Sequence, residues 1–137
     1  MPRLLLPLLF GCFASFASLV LAQERPPLKG ASAVRISNYG APSKLIEAKE
    51  EVDALISEFE DLRAKRWRQA DLRMRCYATV QFMNASKIIT VFRVRPEYVL
   101  ERAPDKAVAT YSLHTTETDL PKLRQLLMEV PPSKDCG

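Results

Sequence analysis

The sequence predicts an α+β domain of two layers. A long amphipathic helix and a short C-terminal helix pack on a small antiparallel sheet, in the order β-α-β-β-β-α. Three observations carry that expectation. Apolar residues recur at intervals of three and four from Leu45 to Leu62, the period of one helix face. The period switches to two between Cys76 and His114, interrupted by turn residues, as in strands joined by hairpins. A second, shorter helical stripe follows near the C-terminus. Short turns cannot make parallel crossovers, so the sheet is antiparallel and the helices gather on it as a layer.

The first segment stands apart from this domain. Arg3 precedes an almost unbroken apolar run from Leu4 to Leu21, ending at Val20-Leu21-Ala22 before the polar Gln23-Glu24-Arg25. That three-part pattern is a secretory signal peptide over residues 1–22, cut after Ala22. A run of about 18 residues also approaches the length of a membrane-spanning helix, so an uncleaved anchor is the alternative. Pro7 and Gly11 break the run and favour cleavage. Residues 23–33, with Pro26, Pro27 and Gly30, read as a flexible N-terminal arm. The single α+β domain then occupies residues 34–137.

Within it, Val34 to Tyr39 forms a strand that Gly40-Ala41-Pro42 stops. Ser43 is the expected N-cap of a helix running to about Ala70, a rod of ~42 Å. Its stripe is Leu45, Ala48, Val52, Leu55, Phe59 and Leu62. The next strand places Cys76, Ala78, Val80 and Phe82 on one face, and Asn84 to Lys87 is a turn. Ile88 to Arg95 follows, with Ile88, Phe92 and Val94 on one face and Ile89 and Val91 on the other. Pro96 marks an edge or a bulge, with Tyr98-Val99-Leu100 continuing the strand. After a turn at Ala103 to Lys106, Val108 to His114 alternates again. Thr118 or Asp119 caps the last helix, whose stripe is Leu120, Leu123, Leu127 and Val130. A long helix across an antiparallel meander resembles cystatin-like domains in topology alone. No protease-binding motif accompanies it, so no function follows.

Composition sets the class. The chain has 137 residues, 47% hydrophobic and 26% charged, an ordinary globular balance that argues against wholesale disorder. Twenty basic residues face sixteen acidic ones, and loss of Arg3 with the signal peptide leaves an excess of three. Cys12 departs too, leaving Cys76 and Cys136. An even pair in an oxidising compartment, periplasmic or secreted, is expected to form a disulfide. For a loop of about 60 residues the chain-entropy model gives roughly 4 kcal/mol. No cofactor or metal is expected: there is no Cys-x-x-Cys, no histidine cluster and no phosphate-cradling glycine loop. Asn84-Ala85-Ser86 fits the N-glycosylation sequon.

The most distinctive stretch runs from Arg63 to Arg75. Arg63, Lys65, Arg66, Arg68, Arg73 and Arg75 stand against the single acid Asp71, with the only tryptophan, Trp67, among them. Guanidinium pairs with carboxylate or phosphate, and Trp and Arg are the commonest binding hot spots. An alternative reading needs no ligand: acids early in the helix and bases late in it complement the helix dipole. The small charge excess argues against a nucleic acid. Ser112, His114 and Glu117 lie close in sequence, which makes a hydrolase using His114 the competing reading, but triads are defined by geometry and this serine lacks a glycine-rich elbow. The single histidine excludes any mechanism that needs two.

Few catalytic candidates, one expected staple and one domain point to a small exported binding protein, inhibitor-like or immunity-like. Its partner is a protein or an anionic surface. Apolar residues on both faces of Ile88–Val94 call for a cover on each side, and a second copy of the chain is the simplest one. An accessory subunit held by an uncleaved N-terminus is the remaining alternative.

Overall fold

A computed structural model describes residues 24–39 and 41–131. The fold is the α+β architecture expected: two helices packed on a seven-stranded antiparallel sheet of order β2-β1-β4-β5-β6-β7-β3. The strands are β1 (Ala33–Asn38), β2 (Lys44–Ile46), β3 (Arg68–Gln69), β4 (Ala78–Asn84), β5 (Lys87–Val94), β6 (Tyr98–Arg102) and β7 (Tyr111–His114). The helices are α1 (Lys49–Arg63) and α2 (Pro121–Leu127). Residues 1–22 and Cys136, on which the signal peptide and the disulfide rest, lie outside the described residues.

The core follows the two periods. Val52, Leu55, Phe59 and Leu62 are the buried stripe of α1. They meet Val34 and Ile36 of β1, Ala78, Val80 and Phe82 of β4, and Phe92 and Val94 of β5. Phe59 packs against the Phe82 and Phe92 rings at centroid distances of 5.2 and 4.3 Å. Leu123 and Leu126 bring α2 onto the same core.

Four local departures from the sequence expectation have physical causes. First, Ser43 does not cap α1. Lys44–Ile46 pairs back on β1, with Ile46 opposite Val34 and buried in the core, and the helix starts after Ala48. Leu45 is consequently exposed. Second, α1 ends at Arg63 and not near Ala70. Beyond Leu62 the stripe positions fall on Arg66, Gln69 and Ala70, which offer little to bury. The Trp67 indole folds back and donates to the Leu62 carbonyl at 2.7 Å, which also accepts from the Lys65 amide at 3.1 Å, so two donors close the helix end. Arg68–Gln69 then joins the sheet edge beside β7.

Third, Pro96 turns the chain instead of interrupting one strand. The Arg95 amide donates to the Tyr98 carbonyl, and β6 pairs antiparallel to β5. Fourth, neither Thr118 nor Asp119 caps α2. Leu120 holds the N-cap position in the left-handed region, φ 57°. The α2 amides of Lys122 and Leu123 donate to the Glu58 carboxylate of α1, at 2.5 and 3.1 Å. One helix thus caps the other.

A register shift between Phe82 and Met83 also reassigns the start of β5. An extra residue in one strand of a pair re-aims the side chains around it. Ile88 pairs with Met83 and faces away from the helices, while Ile89 packs against the core. The segment expected as a flexible arm is held through Arg25, which pairs with Glu101, and through Leu28, which is fully buried, and Ala33 already belongs to β1.

Candidate functional site

The sheet distributes the basic run between its two faces. Toward the helices, Glu101 of β6 is buried at 1% exposure. The Arg63 guanidinium forks onto its carboxylate, Arg25 donates to it at 3.2 Å, and the Thr90 hydroxyl donates at 3.0 Å. Arg63 also donates to the Pro26 carbonyl at 2.7 Å. Arg25 lies between the Trp67 and Tyr111 rings, 4.9 and 4.6 Å from their centroids. Lys65 pairs with Asp119 at 2.9 Å. Arg63, Lys65 and Trp67, three of the sequence candidates, are therefore engaged in holding the fold together. Arg66 is exposed in the turn after α1.

The opposite face gathers the others. By register, Ser37, Thr79, Arg93, Leu100, Ser112 and Arg68 lie side by side across six strands. The next row is Arg35, Gln81, Val91 and Arg102. From β3 at one edge the chain must return to β4 at the centre. Residues 70–76 do so as a strap over this face, where Asp71 pairs with Arg102 at 2.6 Å. The far end of the strap is pinned by the Arg95 guanidinium, which donates to the Arg75 and Cys76 carbonyls at 2.6 and 3.3 Å. Arg73 and Arg75 thereby come beside Arg93 and Arg102 around an opening of about 760 Å³.

Past Arg93 and Arg102 a second groove of about 620 Å³ opens between the sheet and the segment from Ala103 to Thr110. Tyr77, Ile88 and Val91 give it an apolar floor, and Lys106 adds a further cation. Arg93 stacks over the Tyr77 ring, 4.8 Å from its centroid, which fixes the guanidinium plane. Asp71 is the one acid among the residues that line either opening. Arg93 and Arg102, shared by both openings, are absent from the sequence candidates. They lie outside the basic run, and only strand register reveals their common face.

The hydrolase reading finds no assembled site. His114 Nδ1 lies 2.7 Å from the Glu97 carbonyl, which makes it a donor to backbone at the end of the β5–β6 turn. Ser112 is buried in the sheet, Glu117 is exposed, and no hydrogen bond joins any two of the three among the described residues. The same residues hold no group of three or more His, Cys, Asp or Glu side chains placed to bind a metal. No helix among them is long and apolar enough to cross a membrane.

Two acids here have lowered pKa values. The Thr116 amide, and then Lys65, hold the Asp119 carboxyl below its ordinary value. The Arg95 side chain does the same for exposed Glu97. Both acids brace turns, and neither lines the grooves.

Comparison with known proteins identifies no relative: no family model, curated protein or solved structure matches this chain.

Proposed function

We propose that this is a small exported protein without catalytic activity, which binds a protein partner through the sheet face opposite its helices. The observation that carries the reading is the half-buried groove on that face, where an apolar floor adjoins the Arg93 and Arg102 guanidinium groups. Mixed apolar and arginine-rich concavities suit protein recognition. Export rests on the sequence of residues 1–22.

A Cys76–Cys136 disulfide belongs to the same reading. Asn38 donates to the carbonyls of Val130 and Pro131 at 3.4 and 3.1 Å, and its register partner is Ala78, two residues from Cys76. The five-residue step from Pro131 to Cys136 reaches at most ~17 Å, enough for the short way back to Cys76. The bridge would anchor the tail beside the strap that frames the groove. Mass spectrometry of the native protein before and after reduction tests it, the expected change being a gain of one pair of hydrogens. The same spectrum is expected to start at Gln23, and retention of Met1 would overturn export in soluble form.

For the interface, a photo-crosslinking residue is placed at Gln81, in the groove, and separately at Asp61, on the exposed side of α1. Cross-linking in the native compartment is expected at a defined mass from Gln81 and not from Asp61. Equal capture from both positions, or none from Gln81, overturns the reading.

A further inference from the structure

We infer that the groove receives an extended acidic segment of the partner protein, with carboxylates at alternate positions seated on Arg93 and Arg102. This rests on the proposed binding function and names the chemistry of its site. The spacing is the main argument. Arg93 lies directly opposite Leu100, and Arg102 is two residues further along β6, so the two arginines are diagonal neighbours ~7–8 Å apart. In an extended chain, side chains two residues apart share a face and are separated by ~6.6 Å. Two carboxylates at alternate positions therefore match the backbone spacing of two arginines on neighbouring strands. Arg73, Arg75 and Lys106 extend the positive field at both ends, and Val91 and Ile88 offer apolar contact to the residues beyond.

The same features favour a peptide over other anions. The site is a concavity with its apolar atoms on the floor, whereas a bilayer surface is met by protruding apolar side chains. Base stacking needs a free aromatic face. The Tyr77 ring is covered by Arg93 and meets Tyr39 edge-on at 5.6 Å. Asp71 then acquires a role. Its carboxylate sits on Arg102 at 2.6 Å, where a partner carboxylate would sit, so it holds the place until the partner displaces it.

The test uses the protein as its source processes it and two fluorescein-labelled heptapeptides of identical composition. One reads Glu-Ser-Glu-Ser-Val-Ser-Val, and the other carries its two glutamates consecutively. Anisotropy titration at low salt is expected to show the alternating peptide binding about tenfold tighter, a difference that spacing alone can produce. Arg93→Ala and Arg102→Ala are each expected to weaken it by about tenfold or more, as for a central arginine contact. Arg66→Ala is expected to leave it unchanged, and Asp71→Asn to tighten it severalfold. Equal affinity for the two peptides, or insensitivity to both groove arginines, overturns the inference. So does Arg93- and Arg102-dependent capture of phosphatidylglycerol vesicles without peptide binding. If neither peptide binds while the Gln81 cross-link persists, the acidic-segment inference fails and the binding reading stands. If the cross-link is lost as well, both fail.

Discussion

The two faces of the sheet use the same residue type for opposite purposes. On the helix side, Arg63 is locked onto Glu101, with Arg25 and Thr90 completing the carboxylate's shell. On the other side, Arg93 and Arg102 border open grooves, one stacked on Tyr77 and the other paired with a surface aspartate. An arginine whose hydrogen bonds are consumed internally stabilises the fold and has little left to offer a ligand. An arginine held in place by one ring or one exchangeable acid keeps its fork available. Basic character along the sequence does not distinguish these cases, whereas burial and partner geometry do.

Stability measurements break this comparison most directly. Glu101→Ala leaves Arg63 and Arg25 facing a void in a part-buried site, and removing one member of a buried pair costs about 3–5 kcal/mol. Urea denaturation is expected to show a loss of that size. Arg93→Ala and Arg102→Ala are expected to change stability by less than about 1 kcal/mol, the range of exposed ion pairs and surface substitutions. If all three variants lose similar stability, the two faces are not functionally distinct.

The helix junctions come next in size. Glu58→Ala removes the carboxylate that caps two amides of α2, and a lost cap costs about 1–2 kcal/mol. Trp67→Phe keeps an aromatic ring against Phe92 but deletes the indole bond to Leu62, at about 1 kcal/mol for one hydrogen bond. Both losses are expected in denaturation midpoints. Trp67→Phe is also expected to leave groove binding intact, because the indole belongs to the helix side.

Much of the helix side was legible in the sequence. Val52, Leu55, Phe59 and Leu62 declare their face through period alone, as do Ala78, Val80 and Phe82. What escaped depends on pairing between distant segments. Lys44–Ile46 is three residues long, and its strand character comes from β1. The end of α1 is set by Trp67 and by a glutamate 38 positions further along the chain. The candidate site escaped for the same reason. Arg73 and Arg75 could be named from local charge, but Arg93 and Arg102 become their neighbours only through the β5–β6 register and the strap above it.

The smallest effect sharpens the comparison through pH. Asp119 accepts from the Thr116 amide at 2.8 Å and from Lys65 at 2.9 Å, so it ties the turn before α2 to the end of α1. These bonds favour the ionised form and lower its pKa below the ordinary 3.8. A group with a depressed folded pKa contributes its full stabilisation above the unfolded value and loses it as pH falls through the folded one. The stability difference between the wild type and Asp119→Asn is therefore expected to be constant near neutral pH and to shrink on acidification below that ordinary value. Melting temperatures taken from neutral pH down to about pH 2 would check this. Glu97→Gln provides the weaker counterpart, since Glu97 is exposed and its bond to Arg95 is screened by solvent. A pH-independent difference for Asp119→Asn would mean that the carboxylate's charge contributes nothing and that Lys65, like Arg66, is a free surface cation. The basic residues after Leu62 would then have to be reassigned from the helix side to the solvent.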